Sequence, residues 1–195
     1  MARNGWMMLG GLLLISAAVD AADANGQFVV KGAGLLSCGE FITERDKRSE
    51  SYQYIGGWVD GFVTAHNKYA PDTYDVTSFE NTELLLAVMD NHCRANPQDR
   101  LYPVLNSIVD KLAPERLQQQ SPGVQLADGR HTAVLYRETI SRIQQRLREL
   151  DLYKSGIDGT FSDATRSALA AFQKDHDLQP TGFPDQTTLW RLLRN

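Results

Sequence analysis

The sequence predicts an all-α protein built as two small units: an N-terminal four-helix domain tied by a disulfide, and a C-terminal three-helix domain. Three observations carry this. The first is a phrase that occurs twice near the C-terminus. Gly159-Thr160-Phe161-Ser162-Asp163-Ala164-Thr165 is followed by Leu169, and Gly182-Phe183-Pro184-Asp185-Gln186-Thr187-Thr188 by Leu192. Each copy holds a glycine that can take positive φ, a Ser or Asp where an N-cap belongs, and apolar residues at helical spacing. The second is the series Tyr52, Ile55, Val59, Phe62, His66 and Tyr69, whose alternating three- and four-residue steps trace one face of a helix. The third is the pair Cys38 and Cys93, both in the first half.

Composition bounds the rest. The chain has 195 residues, 42% hydrophobic and 23% charged, with net charge -4. That suits one ordinary domain or two small ones. Residues 25–115 carry 8 Lys/Arg against 13 Asp/Glu, and residues 136–195 carry 9 against 8. Neither half has a basic face that could grip phosphates, so nucleic acid is not an expected partner.

The elements follow in order. Arg3 precedes an apolar run from Trp6 to Val19, and small residues follow at Ala21 to Ala24. This is the pattern of a secretory signal peptide, assigned to residues 1–21. The other reading is an uncleaved anchor, but the run is shorter than the roughly 20 residues a spanning helix needs. The expected location is the periplasm of a bacterium, with no membrane span after signal cleavage. In that oxidising compartment a lone cysteine pair forms a disulfide. The alternative is a reactive thiol at Cys93 beside His92, although neighbours in a helix do not face each other.

Residues 25–113 form the N-terminal domain. Phe28-Val29-Val30 reads as a short extended piece. A helix from Leu35 to about Glu44 carries Cys38, Phe41 and Ile42, and the charged run from Glu44 to Glu50 reads as a solvated bend. The helix from Tyr52 to Tyr69 contains Gly56, Gly57 and Gly61, which implies close approach of a neighbouring helix; Pro71 ends it. Asn81 caps a helix through Leu84-Leu85-Leu86 to Cys93, and Asn96-Pro97 stops it. Leu101, Leu105, Ile108 and Leu112 stripe a fourth helix from Asp99 to Leu112. Gln118-Gln119-Gln120, Ser121-Pro122-Gly123 and Asp128-Gly129 mark a linker at 114–133. In residues 134–195, Val134-Leu135-Tyr136 is expected to pack onto the C-terminal domain. Its helices run over Glu138–Leu150, over Asp163–Asp175, and from the second copy of the phrase onward.

Within that domain, Ile143-Gln144-Gln145-Arg146-Leu147, Asp158-Gly159-Thr160-Phe161, Thr165, Ala168-Leu169, Phe172-Gln173, Leu178, Thr181-Gly182, Asp185, Thr188 and Leu192 stand in a characteristic order. Together they resemble the three-helix, type 1 peptidoglycan-binding domain of bacterial envelope proteins, over about residues 137–193. Asp151, Ser162 and Asp177 replace the family's usual glycines, at turn or cap positions where Asp tolerates left-handed geometry. The resemblance implies non-catalytic binding of peptidoglycan, at its peptide stems or their junction with the glycan. A muropeptide offers carboxylates, amides, an amine and hydroxyls, so its site needs mixed donors and acceptors beside an apolar wall. The ligand-binding candidates are Tyr153, Asp158, Thr160, Gln173 and Thr181. Each has a structural alternative: Asp158 can brace its turn, and Gln173 can bond loop backbone. Phe161 and Phe172 read as core.

Ser37-Cys38-Gly39, Gly57-Trp58-Val59-Asp60-Gly61-Phe62 and His92-Cys93-Arg94-Ala95-Asn96-Pro97 are similar to segments of small exported helical proteins with a Cys-to-Cys tether. Those include acid-stress chaperones and type VI secretion immunity proteins. That resemblance implies a fold and no single activity. Catalysis is not expected. None of His66, His92, His131 and His176 falls in a metal-ligand motif, so no metal or cofactor is expected. Glu40, Asp60 and Glu83 could serve a glycosidase pair, but any helical protein offers such carboxylates. The reading is a wall-anchored adaptor with a possible protein partner for the N-terminal domain. The alternatives are a cell-wall hydrolase of unrecognised type, or an envelope-defence or chaperone protein.

Overall fold

Seven α-helices and one β-hairpin make up residues 22–23 and 25–194, the part of the chain that the computed structural model describes. The helices are α1 (Cys38–Lys47), α2 (Glu50–Tyr69), α3 (Thr82–Ala95), α4 (Leu101–Leu112), α5 (Arg137–Glu149), α6 (Asp163–Asp175) and α7 (Gln186–Leu193). The all-α class holds: four helices precede the hairpin and three follow it. The signal-peptide segment lies outside the described residues. Among the described residues, no helix is long and apolar enough to cross a membrane.

The first helix starts later than the sequence suggests. Ser37 accepts the Glu40 N–H while the Glu40 carboxylate accepts the Ser37 N–H, a reciprocal capping box that sets the boundary. Gly32–Leu35 forms a separate 3-10 turn ahead of it. The charged run expected as a bend is mostly helix, and Arg48 ends it in a left-handed conformation (φ 49°). The Cys38–Cys93 disulfide joins α1 to α3. It lies in a core with Phe41, Ile55, Val59, Met89, Leu101 and Leu105, all fully buried.

The glycines of α2 divide. Gly56 packs against Thr82 and Leu86 of α3, with the nearest atom 3.6 Å from where a Cβ would sit. Gly57 and Gly61 have nothing within 4 Å of that point. Helix approach therefore explains one of the three and not the other two.

The expected linker is also ordered. Within 114–133 and just beyond, strands β1 (Gly123–Ala127) and β2 (Thr132–Tyr136) pair antiparallel, Gly123 opposite Tyr136. Asp128 and Gly129 (φ 85°) make the turn, and the Asp128 carboxylate accepts the N–H groups of Arg130 and His131. Leu126 and Leu135 are buried in the second core, so the hairpin covers the C-terminal unit as expected for Leu135, whereas Val134 is exposed and the Tyr136 hydroxyl donates to Asp75 of the N-terminal half (3.0 Å). Each strand buries a single residue, too weak an alternation to stand out in sequence.

That second core contains Ile140, Ile143, Leu147, Leu169, Phe172, Leu189 and Leu192, and also Phe79 from the N-terminal half. The loop around Phe79 is bonded across the boundary. Thr139 donates its hydroxyl to the Ser78 carbonyl (2.8 Å). Gln186 donates to the Phe79 carbonyl (2.9 Å) and accepts the Asn81 N–H (3.1 Å). Arg194 Nε donates to Glu80 (2.8 Å), and its Nη2 lies 2.7 Å from the same carboxylate oxygen, a charge pair whose side chains are 8% and 0% exposed. The Arg194 guanidinium also covers the Phe79 ring. The two halves form one packed unit through this latch.

Candidate functional site

The doubled phrase builds two copies of one device. In the first, Gln144 of α5 is fully buried. Its amide oxygen accepts the N–H groups of Asp158 (3.0 Å) and Gly159 (2.9 Å). Its amide nitrogen faces the Thr160 carbonyl (2.9 Å), the Asp158 carboxylate (3.0 Å) and the hydroxyls of Tyr153 and Thr165 (both 3.2 Å). In the second, Gln173 of α6 is fully buried as well. Its oxygen accepts the Gly182 N–H (2.7 Å), and its nitrogen faces the Phe183 carbonyl (2.9 Å) and the Thr188 hydroxyl (3.0 Å). A buried glutamine thus holds a turn and the first turn of the next helix together. An amide can do this because it presents two donors and an acceptor on one planar group.

Glycine is required at both turns. Gly159 and Gly182 have φ of 67° and 68°. A Cβ on Gly159 would meet the Arg137 carbonyl oxygen at 2.8 Å, and one on Gly182 the Arg166 carbonyl oxygen at 2.6 Å. Arg137 and Arg166 each precede a clamp glutamine by seven residues, so the repeat extends back through the preceding helix. The helix starts follow the same plan: Ser162 accepts the Thr165 N–H, and Asp185 accepts the Thr188 N–H (2.9 Å).

The five ligand-binding candidates separate between these clamps. Tyr153, Asp158 and Thr160 gather around Gln144, whereas Thr181 sits with Gln173. Tyr153 is buried, and its hydroxyl donates to the Gly156 carbonyl (2.8 Å). Gln173 is spent on its own turn. Asp158 is exposed, but its Oδ1 accepts the Thr160 N–H (2.8 Å) and the Gln144 amide. The Gln144 amide first, then the Thr160 N–H, holds the Asp158 carboxyl below the usual carboxylate range. Thr160 and Thr181 are exposed, and the Thr181 hydroxyl accepts the Phe183 N–H (3.0 Å). Asp151 (φ 62°) and Asp177 (φ 56°) take the left-handed geometry expected where the family has glycine.

Sequence reasoning passed over the polar side of α5. There an open cavity of about 510 Å³ is bordered by Glu115, Glu138, Arg142, Gln145, Arg146 and Glu149, with Ile157 and Leu193 as apolar wall. Arg146 also borders a second cavity of about 480 Å³, with Leu150, Phe172, His176, Arg191 and Leu192. The available signal was the charged run on the face of α5 opposite Ile140, Ile143 and Leu147.

In the N-terminal half, the carboxylates considered for catalysis are engaged structurally. Glu40 closes the capping box, Asp60 accepts the Thr82 hydroxyl, and Glu83 accepts the Tyr52 hydroxyl (2.9 Å). The Cys93 thiol is consumed by the disulfide, and His92 Nε2 faces Asp99 (2.8 Å). Burial holds the His66 imidazole below its usual pKa.

Residues 136–192 match the family model described as "Putative peptidoglycan binding domain". The match covers the hairpin's last residue, α5, both clamps, α6 and all but the end of α7. No curated protein and no solved structure matches the chain.

Proposed function

From the match of residues 136–192 to a peptidoglycan-binding family, we propose that this is an exported, non-catalytic protein that holds to the bacterial cell wall through its C-terminal module. The single observation carrying the reading is that match; the two glutamine clamps supply the construction such a module needs. The apolar run at residues 6–19 and the disulfide support export to an oxidising compartment such as the periplasm. The N-terminal half, with its acidic balance and structurally committed carboxylates, fits an adaptor whose role is to engage a protein partner.

The test is co-sedimentation of the full chain with purified, protein-free sacculi. Retention well above that of an unrelated acidic protein of similar size is the expected result, and no retention would sink the reading. Incubation with the same sacculi should release no soluble muropeptides. Release abolished by changing Glu40, Asp60 or Glu83 would favour the hydrolase instead.

A further inference from the structure

Two of the three glycines of α2 touch nothing among the described residues. Gly57 and Gly61 are exposed, with no atom within 4 Å of where a Cβ would sit, although glycine weakens the interior of a helix. At about 100° per residue, Glu50, Gly57, Gly61 and Lys68 fall within an arc of about 40°, one strip along the outer side of the helix. Tyr54 and Ala65 form a margin of the same strip, and all six residues are exposed. Tyr54 is 59% exposed, and its hydroxyl rests over Gly32, where a Cβ would come within 2.7 Å of it. Neither Glu50 nor Lys68 has an ion-pair partner among the described residues. Lys68 lies only over the ring of its neighbour Tyr69.

We infer that this strip is the contact surface for a second copy of the chain, with α2 packed antiparallel against α2 about a twofold axis. The charges select both the partner and the direction. With Gly57 opposite Gly61 of the second copy, the same register brings Glu50 opposite Lys68 of the second copy, because both pairs are centred on position 59. Tyr54 then lies beside Ala65 of the second copy, on the same margin. The twofold axis repeats each contact, so the strip is complementary to itself. Glycines meet at the centre, a tyrosine covers an alanine to either side, and opposite charges meet at each end. A parallel pairing would set Glu50 against Glu50 and Lys68 against Lys68, and like charges facing each other oppose association.

The rest of the fold leaves the strip open. On one flank of α2, Asp60 accepts the Thr82 hydroxyl of α3; on the other, Trp58 Nε1 donates to the Lys31 carbonyl (3.0 Å). Packed helix axes stay about 8–10 Å apart according to the side chains at the contact, and a bare centre permits the short end of that range. Glycine at 57 and 61 therefore suits a neighbouring helix that one chain by itself does not supply. The strip lies wholly in the N-terminal half, so pairing uses no residue of the C-terminal module. A dimer carries two such modules; on the peptidoglycan reading, leaving the wall then requires both to let go. The pairing itself does not rest on that reading.

The experiment is sedimentation equilibrium of the full chain, purified without residues 1–21 and with its disulfide intact, from about 1 to 300 μM at low salt, where exposed ion pairs are least screened. Wild type should pass from monomer to dimer across that range, since an interface one helix wide belongs at the weak end of specific contacts. Glu50→Lys and Lys68→Glu should each raise the dissociation constant about tenfold, because each sets two like-charge pairs across the interface. The double swap, and an equimolar mixture of the two single variants, should both recover wild-type association. Gly61→Leu should abolish the dimer, and its thermal melt should show no loss of stability, since the added side chain enters open space on a helix. A wild type that stays monomeric throughout overturns the inference. So does a dimer that survives Gly61→Leu, or one that the charge reversals leave unchanged or the double swap fails to restore. Retention on sacculi is a separate measurement, so failure of the dimer leaves the wall-binding reading standing.

Discussion

Gln144 and Gln173 show how much one side chain can decide. Each replaces several hydrogen bonds that buried turn backbone would otherwise lack. Removing such an amide leaves N–H and C=O groups unpaired in the interior, at about 1–3 kcal/mol each before relaxation. Gln144→Ala should therefore cost about 2–4 kcal/mol in a denaturant titration, whereas Gln145→Ala, one residue along on the exposed side, should stay within about 0.5 kcal/mol. Two titratable side chains are both lowered, one by hydrogen bonds to its charged form and the other by burial, and both lose stability as pH falls. Asp158 is held below its ordinary value, so what it contributes is present above the usual carboxylate range and is lost as pH falls through the lower folded value. His66 is also lowered, by burial, so the native state prefers the neutral ring. Its contribution is intact above the unfolded value of 6.5 and is lost as pH falls below it, because the unfolded chain takes up the proton first. Melting temperature should thus decline from pH 7.5 to 5.5 in wild type and decline less in His66→Gln.

At the scale of elements, the helices are set by their ends. Side chains of Ser37, Ser49, Asn81, Ser162 and Asp185 each accept an N–H in the first turn. Losing one such cap costs about 1 kcal/mol. The exposed glycines of α2 predict a gain instead. Gly57→Ala and Gly61→Ala put a methyl into open space on a helix, and each should raise stability by about 0.5–1 kcal/mol, readable as a higher melting temperature. The disulfide spans 55 residues, and in the chain-entropy model closing a loop of that size contributes about 4 kcal/mol. A Cys38→Ala/Cys93→Ala double variant should lose that amount, and hydrogen exchange should show the loss in α1 and α3 before α5 and α6.

For the molecule as a whole, the latch around Phe79 decides whether two cores behave as one. Phe79 lies in the core of the other half, flanked by the buried Arg194–Glu80 pair. Truncating a buried aromatic costs about 3–5 kcal/mol. Phe79→Ala should do more than lower stability: it should split a single calorimetric transition into two, one for each half. A single transition at lower temperature would mean that other bonds across the boundary, the Tyr136 hydroxyl to Asp75 (3.0 Å) and Arg142 to the Arg116 carbonyl (3.4 Å), couple the halves without the latch.

The local rules were legible in the chain. The repeated Gly, cap and Thr positions announced the last two helices, and the stripe of Ile140, Ile143 and Leu147 announced the one before them, because turns, caps and helical faces depend on neighbours only a few residues apart. The period-matched face of α2 announced its helix for the same reason, while the paired cysteines, 55 residues apart, announced a tie between two segments of the N-terminal half. That Gln173 bonds loop backbone and that Asp158 braces its turn were alternatives the sequence offered; the Gln144 clamp, the hairpin and the latch were not legible. Gln144 meets Gly159 from the middle of another helix, Phe79 finds its core in the other half, and Glu115 pairs with Arg194 from the far end of the chain. Sequence alone determined where most of the helices lie and which module the C-terminal third resembles. Tertiary structure decided which polar residues are spent inside and which line a cavity, since contact between residues distant in sequence depends on packing that no local pattern encodes.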